Sequence, residues 1–160
     1  VLQEAFLINA SLKENILFGK RENTVVDVAT VGEICALKDL ADALPDAYDT
    51  VVGENGVRLS AGQKQRVALA RAIVRSPELL IIDEGLSAVD SATEREIIKG
   101  IRQWLPKSTI IIISHRLSTA LACDRILMIA SASEMITSDP AALHEAPAML
   151  LKLFEPQLIK

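Results

Sequence analysis

The chain has 160 residues, half of them hydrophobic, and its 17 basic and 21 acidic residues give a net charge of −4. This length and composition favour one globular domain with a buried core over a disordered chain. The acidic balance without a long basic segment argues against nucleic-acid binding. We expect neither a membrane span nor a secretory signal within the sequence.

The first part of the chain predicts a small helical region. Ser11 and Glu14 have the spacing of a capping box, which predicts a short helix that ends at Gly19. A second helix start is predicted at residues 24–27, and helical periodicity continues from there to Pro45.

The later part predicts helices that alternate with buried strands. A helix is expected over residues 63–75 and should end before Pro77. Short apolar runs of strand length follow at 79–82, 109–113 and 126–129. The first two runs predict buried parallel strands joined by an amphipathic crossover helix around 97–105. Helix-like pieces are expected at 141–144 and 148–154.

The segment Leu59-Ser60-Ala61-Gly62-Gln63 predicts a helix start that suits a phosphate. Ser60 is a good N-cap, and Gly62 lets backbone approach a ligand because it carries no Cβ. The free N–H groups and the positive dipole end of the following helix would attract an anion.

Ionisable side chains stand at the ends of two predicted strands. Asp83 and Glu84 follow the first run, and His115 follows the second. The carboxyl ends of parallel strands form the ligand-binding edge of such sheets, so one carboxylate could hold hydrated Mg²⁺ while its neighbour orients or deprotonates a water. Each of these residues also has an ordinary structural alternative. Asp83 and Glu84 could form a solvated strand end, and His115 could be structural. Asp90, farther along the chain, could be the N-cap of the next helix.

Taken in this order, segments 59–63 and 79–84 resemble the signature motif and the Walker B strand of ATP-binding-cassette (ABC) ATPases. Segments 11–19 and 44–54 resemble those that flank the helical subdomain of ABC exporters. The resemblance covers Val1 to about Ile129 and implies an α/β fold, a partial P-loop NTPase-like parallel sheet core with an inserted α-helical signature subdomain. It implies one partial domain: a helical subdomain at about 11–75, a core with Walker B, D-loop and H-loop at about 76–130, and a tail at 131–160.

The resemblance also implies a role for each candidate residue. Glu84 would be the catalytic base, His115 would sense the γ-phosphate, and Gln3 would be the Q-loop glutamine that approaches the metal. Asp83 and Gln3 would serve Mg²⁺. The signature and the D-loop would contact ATP that is bound to an opposite domain. The signature residues are Ser60, Ala61, Gly62 and Gln63, and the D-loop residue is Asp90.

The implied function is ATP binding and hydrolysis that drives transport by an ABC exporter. Its partners would be a second nucleotide-binding domain, identical or different, and a transmembrane domain that holds it at the cytoplasmic face of a membrane. The sequence contains no G-x-x-x-x-G-K-[ST] loop for the β- and γ-phosphates. We therefore expect a fragment that binds ATP poorly and is inactive by itself.

Two other functions fit the same motifs. The chain could be a non-hydrolytic cassette remnant that docks on a complete domain as an interaction module. It could also be the signature lobe of a DNA-repair or chromosome-maintenance ATPase, in which a coiled coil separates this lobe from the P-loop. The exporter-like segments disfavour this last hypothesis, as does the absence of the heptad pattern that a coiled coil would require.

Overall fold

A computed structural model describes residues 1–20, 26–131 and 134–140. The chain divides into two compact units, Val1–Ile113 and Ser114–Lys160. No helix in these described ranges is both long enough and apolar enough to cross a bilayer. The helix-like pieces predicted at 141–144 and 148–154 lie outside the described residues.

The first unit begins with short helices, as predicted. They are α1 (Leu12–Leu17), α2 (Val28–Ile34), α3 (Lys38–Ala43) and a 3₁₀ turn (Ala47–Asp49), and strand β1 (Ala10–Ser11) pairs antiparallel with β2 (Val51–Val52). The capping box of α1 is confirmed: Glu14 N–H donates to Ser11 Oγ (3.1 Å) and Ser11 N–H to Glu14 Oε2 (2.8 Å). Asp27, the last residue of the second predicted start, caps α2.

The rest of this unit contains the strand–helix–strand crossover. Its elements are α4 (Ala61–Ile73), β3 (Leu79–Asp83), α5 (Ser91–Trp104) and β4 (Thr109–Ile113). Strands β3 and β4 pair in parallel, from Leu79 opposite Thr109 to Asp83 opposite Ile113, which confirms the predicted arrangement.

Val1 extends the sheet at the other edge of β3. Its amino nitrogen donates to the Ile81 carbonyl (2.7 Å), and its own carbonyl accepts the N–H of Asp83 (2.8 Å). These bonds bracket Ile82 in the pattern of a parallel pair. The first residues of the chain therefore run beside β3 toward its carboxyl end.

The prediction that β3 and β4 are buried strands is wrong for one face of the sheet. Leu80 and Ile82 are buried, whereas Leu79 is 51% exposed and Ile81 45%. Successive side chains of a strand point to opposite faces. In the described residues only one of those faces meets the core, so burial alternates along a run that is apolar throughout.

Arg71 is a buried cation that ties α4 to α1 and to the start of the chain. Its guanidinium donates to the backbone carbonyl of Asn15 (2.8 Å), to Asn15 Oδ1 (3.0 Å) and to the carbonyl of Phe6 (3.3 Å). The rings of Phe6 and Phe18 flank it, with centroids 4.9 and 5.4 Å from Cζ. Burial lowers the pKa of Arg71. Hydrogen bonds and ring faces thus compensate for the lost hydration of the charge.

The second unit contains α6 (Leu117–Leu121), β5 (Ile126–Ser131) and β6 (Glu134–Ser138). The strand predicted at 126–129 is present. It pairs antiparallel with β6, and Ser131 lies opposite Glu134. Neither α6 nor β6 was predicted. The sequence between β5 and β6 lacks the Asn-Gly or Asp-Gly signal of a hairpin, which explains the missed β6.

We expect Arg71→Met to lower the free energy of unfolding by about 1–3 kcal/mol, because the buried backbone carbonyl of Asn15 would lose the guanidinium donor and Asn15 Oδ1 would keep only the N–H of Ile8. Arg75→Met is the matched control: this exposed residue lies one helical turn away, and its loss should cost less than about 0.5 kcal/mol. Urea unfolding, followed by circular dichroism, measures the free energy of unfolding of both variants. Equal losses would contradict the anchoring role of Arg71.

Candidate functional site

The start of α4 has the geometry predicted from the sequence. Gln63 N–H donates to Ser60 Oγ (3.2 Å), and Ser60 N–H donates to Gln63 Oε1 (2.8 Å), so the two residues form a capping box. Ser60 is confirmed as the N-cap. Ser60 and Ala61 are exposed. The positive end of this 13-residue helix is therefore open to an anionic ligand.

Gly62 makes a close contact that the sequence did not reveal. A Cβ placed on Gly62 would lie 2.5 Å from the carbonyl oxygen of Ala88, which is too close for any side chain. We predicted glycine here for the approach of a ligand. The structure gives a second reason within the chain, because the backbone of α4 packs directly on residue 88, which belongs to the predicted D-loop, residues 87–90.

The carboxyl end of β3 presents Asp83 and Glu84, both half-buried. Glu84 N–H donates to the carbonyl of Ile113 (3.0 Å), so the β3–β4 ladder continues to this residue. Its φ of 49° then turns the chain in the left-handed region, which costs a non-glycine residue about 1–3 kcal/mol. Its Oε1 atom is shielded from solvent. Ala36, Ala47 and Ser76 have a similar positive φ, and Glu84 differs from them in lying at the carboxyl end of β3.

Asp90 is the N-cap of α5, the structural alternative considered for it. Its Oδ1 accepts the N–H groups of Thr93 (2.9 Å) and Ala92 (3.1 Å). The hydrogen bonds from the side chain and backbone of Thr93 lower the pKa of Asp90. This role is compatible with a D-loop position, which stays a prediction.

Gln65 is a buried polar residue of α4 that sequence reasoning missed. Its Nε2 donates to the carbonyls of Gln3 and Glu84 (3.2 Å each) and to Ser87 Oγ (3.1 Å), and its Oε1 accepts the N–H of Ala88 (3.0 Å). The available signal was its spacing, since it precedes Leu69 and Ile73 by one and two helical turns on the buried face.

The structure thus brings together the backbone of Gln3, the end of β3, the predicted D-loop and α4. His115 is exposed and lies in the second unit, just before α6. There Ser114 Oγ lies 3.2 Å from Thr119 Oγ1 and accepts the N–H of Arg116. The predicted approach of His115 to Asp83 and Glu84 stays a prediction.

No group of three or more His, Cys, Asp or Glu side chains in the described part of the chain could hold a metal ion. Mg²⁺ in nucleotide sites is usually held by one or two carboxylates together with phosphate oxygens and water. The carboxylate of Asp83 and the amide oxygen of Gln3 are hard donors of the kind that such an ion takes. Their chemistry fits the predicted site.

Comparison with known proteins agrees with the sequence motifs. A family model described as ABC transporter matches residues 1–87. The chain is 45% identical over 128 residues to ABC transporter B family member 24, mitochondrial, of Arabidopsis thaliana, covering 80% of this chain and 19% of that protein. It is 40% identical over 129 residues to a putative export ATP-binding/permease protein of Rickettsia bellii, covering 81% of this chain and 22% of that protein.

A solved structure has the same fold. The chain superposes on a bacterial Atm1-family ABC exporter with ATP bound with a TM-score of 0.86 and 34% identity, over 98% of this chain and 28% of that one. The α/β fold class is therefore confirmed, as is the resemblance to an exporter nucleotide-binding domain. The chain spans about a fifth of the length of these two curated relatives.

The cap at Asp90 predicts a defined pH dependence. A folded-state pKa below the ordinary value of 3.8 means that the ionised carboxylate stabilises the fold above that value, and that this contribution disappears as the pH falls through the folded pKa. We expect wild type to be more stable than Asp90→Asn near neutral pH and the difference to shrink below about pH 3.8.

Asp46→Asn is the control, since Asp46 precedes the 3₁₀ turn without a side-chain capping bond. The midpoint of thermal unfolding is recorded across the pH range for wild type, Asp90→Asn and Asp46→Asn. A constant difference between wild type and Asp90→Asn at all pH values would contradict the assignment.

Proposed function

The chain belongs to the ABC transporter family, and we propose that it is the signature-bearing part of an exporter nucleotide-binding domain that couples ATP hydrolysis to transport. The observation that carries the proposal is the end of β3. There Asp83 is the last residue of a parallel strand and a strained Glu84 follows it, and Gln65 joins this end to Gln3 and to the start of the D-loop.

Asp83 and Gln3 would hold Mg²⁺ together with phosphate oxygens and water. The carbonyl of Val1 accepts the N–H of Asp83, so Gln3 follows beside the carboxyl end of β3. Mg²⁺, when bound, neutralises negative charge on the β- and γ-phosphates. The role of the chain is to supply hard oxygen donors from a rigid strand end and from the segment beside it.

Glu84 would act as the general base. A water oxygen would attack the γ-phosphorus, its proton would pass to the Glu84 carboxylate, and the bond from phosphorus to the bridging oxygen would break, releasing ADP and phosphate. The backbone of Glu84 is held by a ladder bond to Ile113 and by the turn bond from Ser87. This fixed position suits a residue that must orient one water. His115 would donate a hydrogen bond to the γ-phosphate.

The exposed start of α4 would face nucleotide held by a second domain, identical or different. Ser60, Ala61, Gly62 and Gln63 would place the positive helix end against the phosphates, and the N–H groups of Ala61 and Gly62, which the capping box does not use, would donate to them. Asp90, at the end of the D-loop, would lie near the same interface. The 160 residues contain no P-loop motif, so the lysine and backbone cradle for the phosphates must come from residues outside them. By itself the chain would be inactive.

An apolar groove beside Gln3 supports docking of a transmembrane domain, which would hold the protein at the cytoplasmic face of a membrane. The groove has a volume of about 300 Å³, and its walls include Leu2, Phe6 and Phe18, all exposed. Exposed aromatic and aliphatic side chains grouped around a concavity are typical of protein–protein contacts. The backbone of Gln3 would link this groove to the end of β3.

We expect Glu84→Gln in the complete transporter to lower ATP turnover by about 10²–10⁴, because an amide cannot accept the proton. Binding of ATP should persist, since the substitution keeps the shape of the side chain. The control is Glu78→Gln, an exposed carboxylate just before β3. Phosphate release by the purified transporter measures turnover, and wild-type turnover in Glu84→Gln would refute the assignment of the base.

A further inference from the structure

The side-chain amide of Gln65 lies where three segments meet beside the proposed base. Gln65 is 4% exposed and lies within α4. Its nitrogen faces the carbonyls of Gln3 and Glu84 and the hydroxyl of Ser87, and its oxygen faces the N–H of Ala88. These partners are distant in sequence, so a single side chain connects the Q-loop, the end of β3 and the D-loop to one helix.

The partners dictate the orientation of the amide. A backbone carbonyl can only accept a hydrogen bond and a backbone N–H can only donate one. Nε2 must therefore face Gln3 and Glu84, and Oε1 must face Ala88. A methionine would remove the bonds that Gln65 makes to these groups, and a glutamate would place negative oxygens against two carbonyls. The pattern requires an amide of this length.

This amide restrains the backbone of Glu84. The carbonyl of Glu84 accepts hydrogen bonds from Gln65 Nε2 and from the N–H of Ser87. A non-glycine residue keeps a φ of 49° only where its surroundings hold it there. Without Gln65 one of these restraints is lost, and a change in the backbone of Glu84 redirects its carboxylate.

The D-loop is held to the same helix at two points. Ala88 donates its N–H to Gln65, and its carbonyl oxygen packs against Gly62, where a Cβ would lie only 2.5 Å away. A displacement of α4 would therefore shift residue 88, and through Gln65 it would also shift the carbonyls of Gln3 and Glu84.

We propose that Gln65 is a positioning residue for ATP hydrolysis, which holds the backbone of Glu84 in the conformation that orients its carboxylate. This inference rests on the proposed function, because it takes Glu84 as the base. Gln65 does not touch the substrate; it acts through Glu84 and keeps Gln3 and the D-loop in register with α4.

Two substitutions in the complete transporter test the proposal. Gln65→Met removes the amide at similar length and volume, and Gln65→Asn keeps an amide that is one methylene too short to reach all its partners. We expect kcat to fall about 10- to 100-fold in both, because a misplaced base costs on that order. The KM for ATP should change by less than about threefold, since positioning of the base acts on the transition state.

The matched control is Gln103→Met, an exposed glutamine of α5, which should keep wild-type turnover. Binding of a non-hydrolysable ATP analogue and the midpoint of thermal unfolding are measured on every variant. A merely structural residue would lower nucleotide binding and the folded fraction together with turnover. If Gln65→Met does not fold, the kcat and the nucleotide binding of Gln65→Asn test the proposal.

Glu84→Gln is measured in parallel, so that the inference and the proposed function can fail separately. If Glu84→Gln loses turnover while a folded Gln65 variant keeps wild-type kcat, the inference is wrong and the proposed function stands. Loss of nucleotide binding in proportion to kcat would also overturn the inference. If Glu84→Gln keeps full turnover, Glu84 is not the catalytic base, and the inference about Gln65 is wrong as well.

Discussion

The burial of polar side chains along α4 is the constraint on which the rest of the first unit depends. Gln65 and Arg71 are both buried, and a buried polar group is costly unless it is hydrogen-bonded. Most of their partners belong to segments without regular secondary structure: Gln3, Phe6, Ser87 and Ala88. The same hydrogen bonds that satisfy the buried side chains of α4 therefore also fix the position of these irregular segments.

This arrangement explains how a strained residue can persist at the end of β3. The left-handed conformation of Glu84 is unfavourable by itself by about 1–3 kcal/mol. The ladder bond to Ile113 and the turn bond from Ser87 hold it from within the sheet and the loop, and Gln65 holds it from the helix. Asp83, still within the strand, needs no such support. Asp83 and Glu84 thus have different backbone conformations, one in the strand and one in the turn that follows it.

Much of the fold could be predicted because it rests on short-range patterns. The capping box at Ser11 and the N-cap at Ser60 depend on residues within three positions, and the parallel pairing of β3 with β4 follows from two apolar runs joined by an amphipathic helix. The errors have equally physical causes. An unbroken apolar run does not show which face of a strand is covered, and the hairpin of β5 and β6 forms without a recognisable turn sequence.

The sequence by itself determined the motifs, the family, the helix starts at Ser11 and Ser60 and the strand before Asp83, because capping and strand formation depend on neighbours within a few residues. Only the tertiary structure decided that Gly62 packs on Ala88, and that Gln65 joins Gln3, Glu84 and Ser87. These contacts link residues 19 to 62 positions apart. A glutamine on the apolar face of a helix shows that a polar partner must exist, but the partner is chosen by how α4 packs against the sheet edge and its loops.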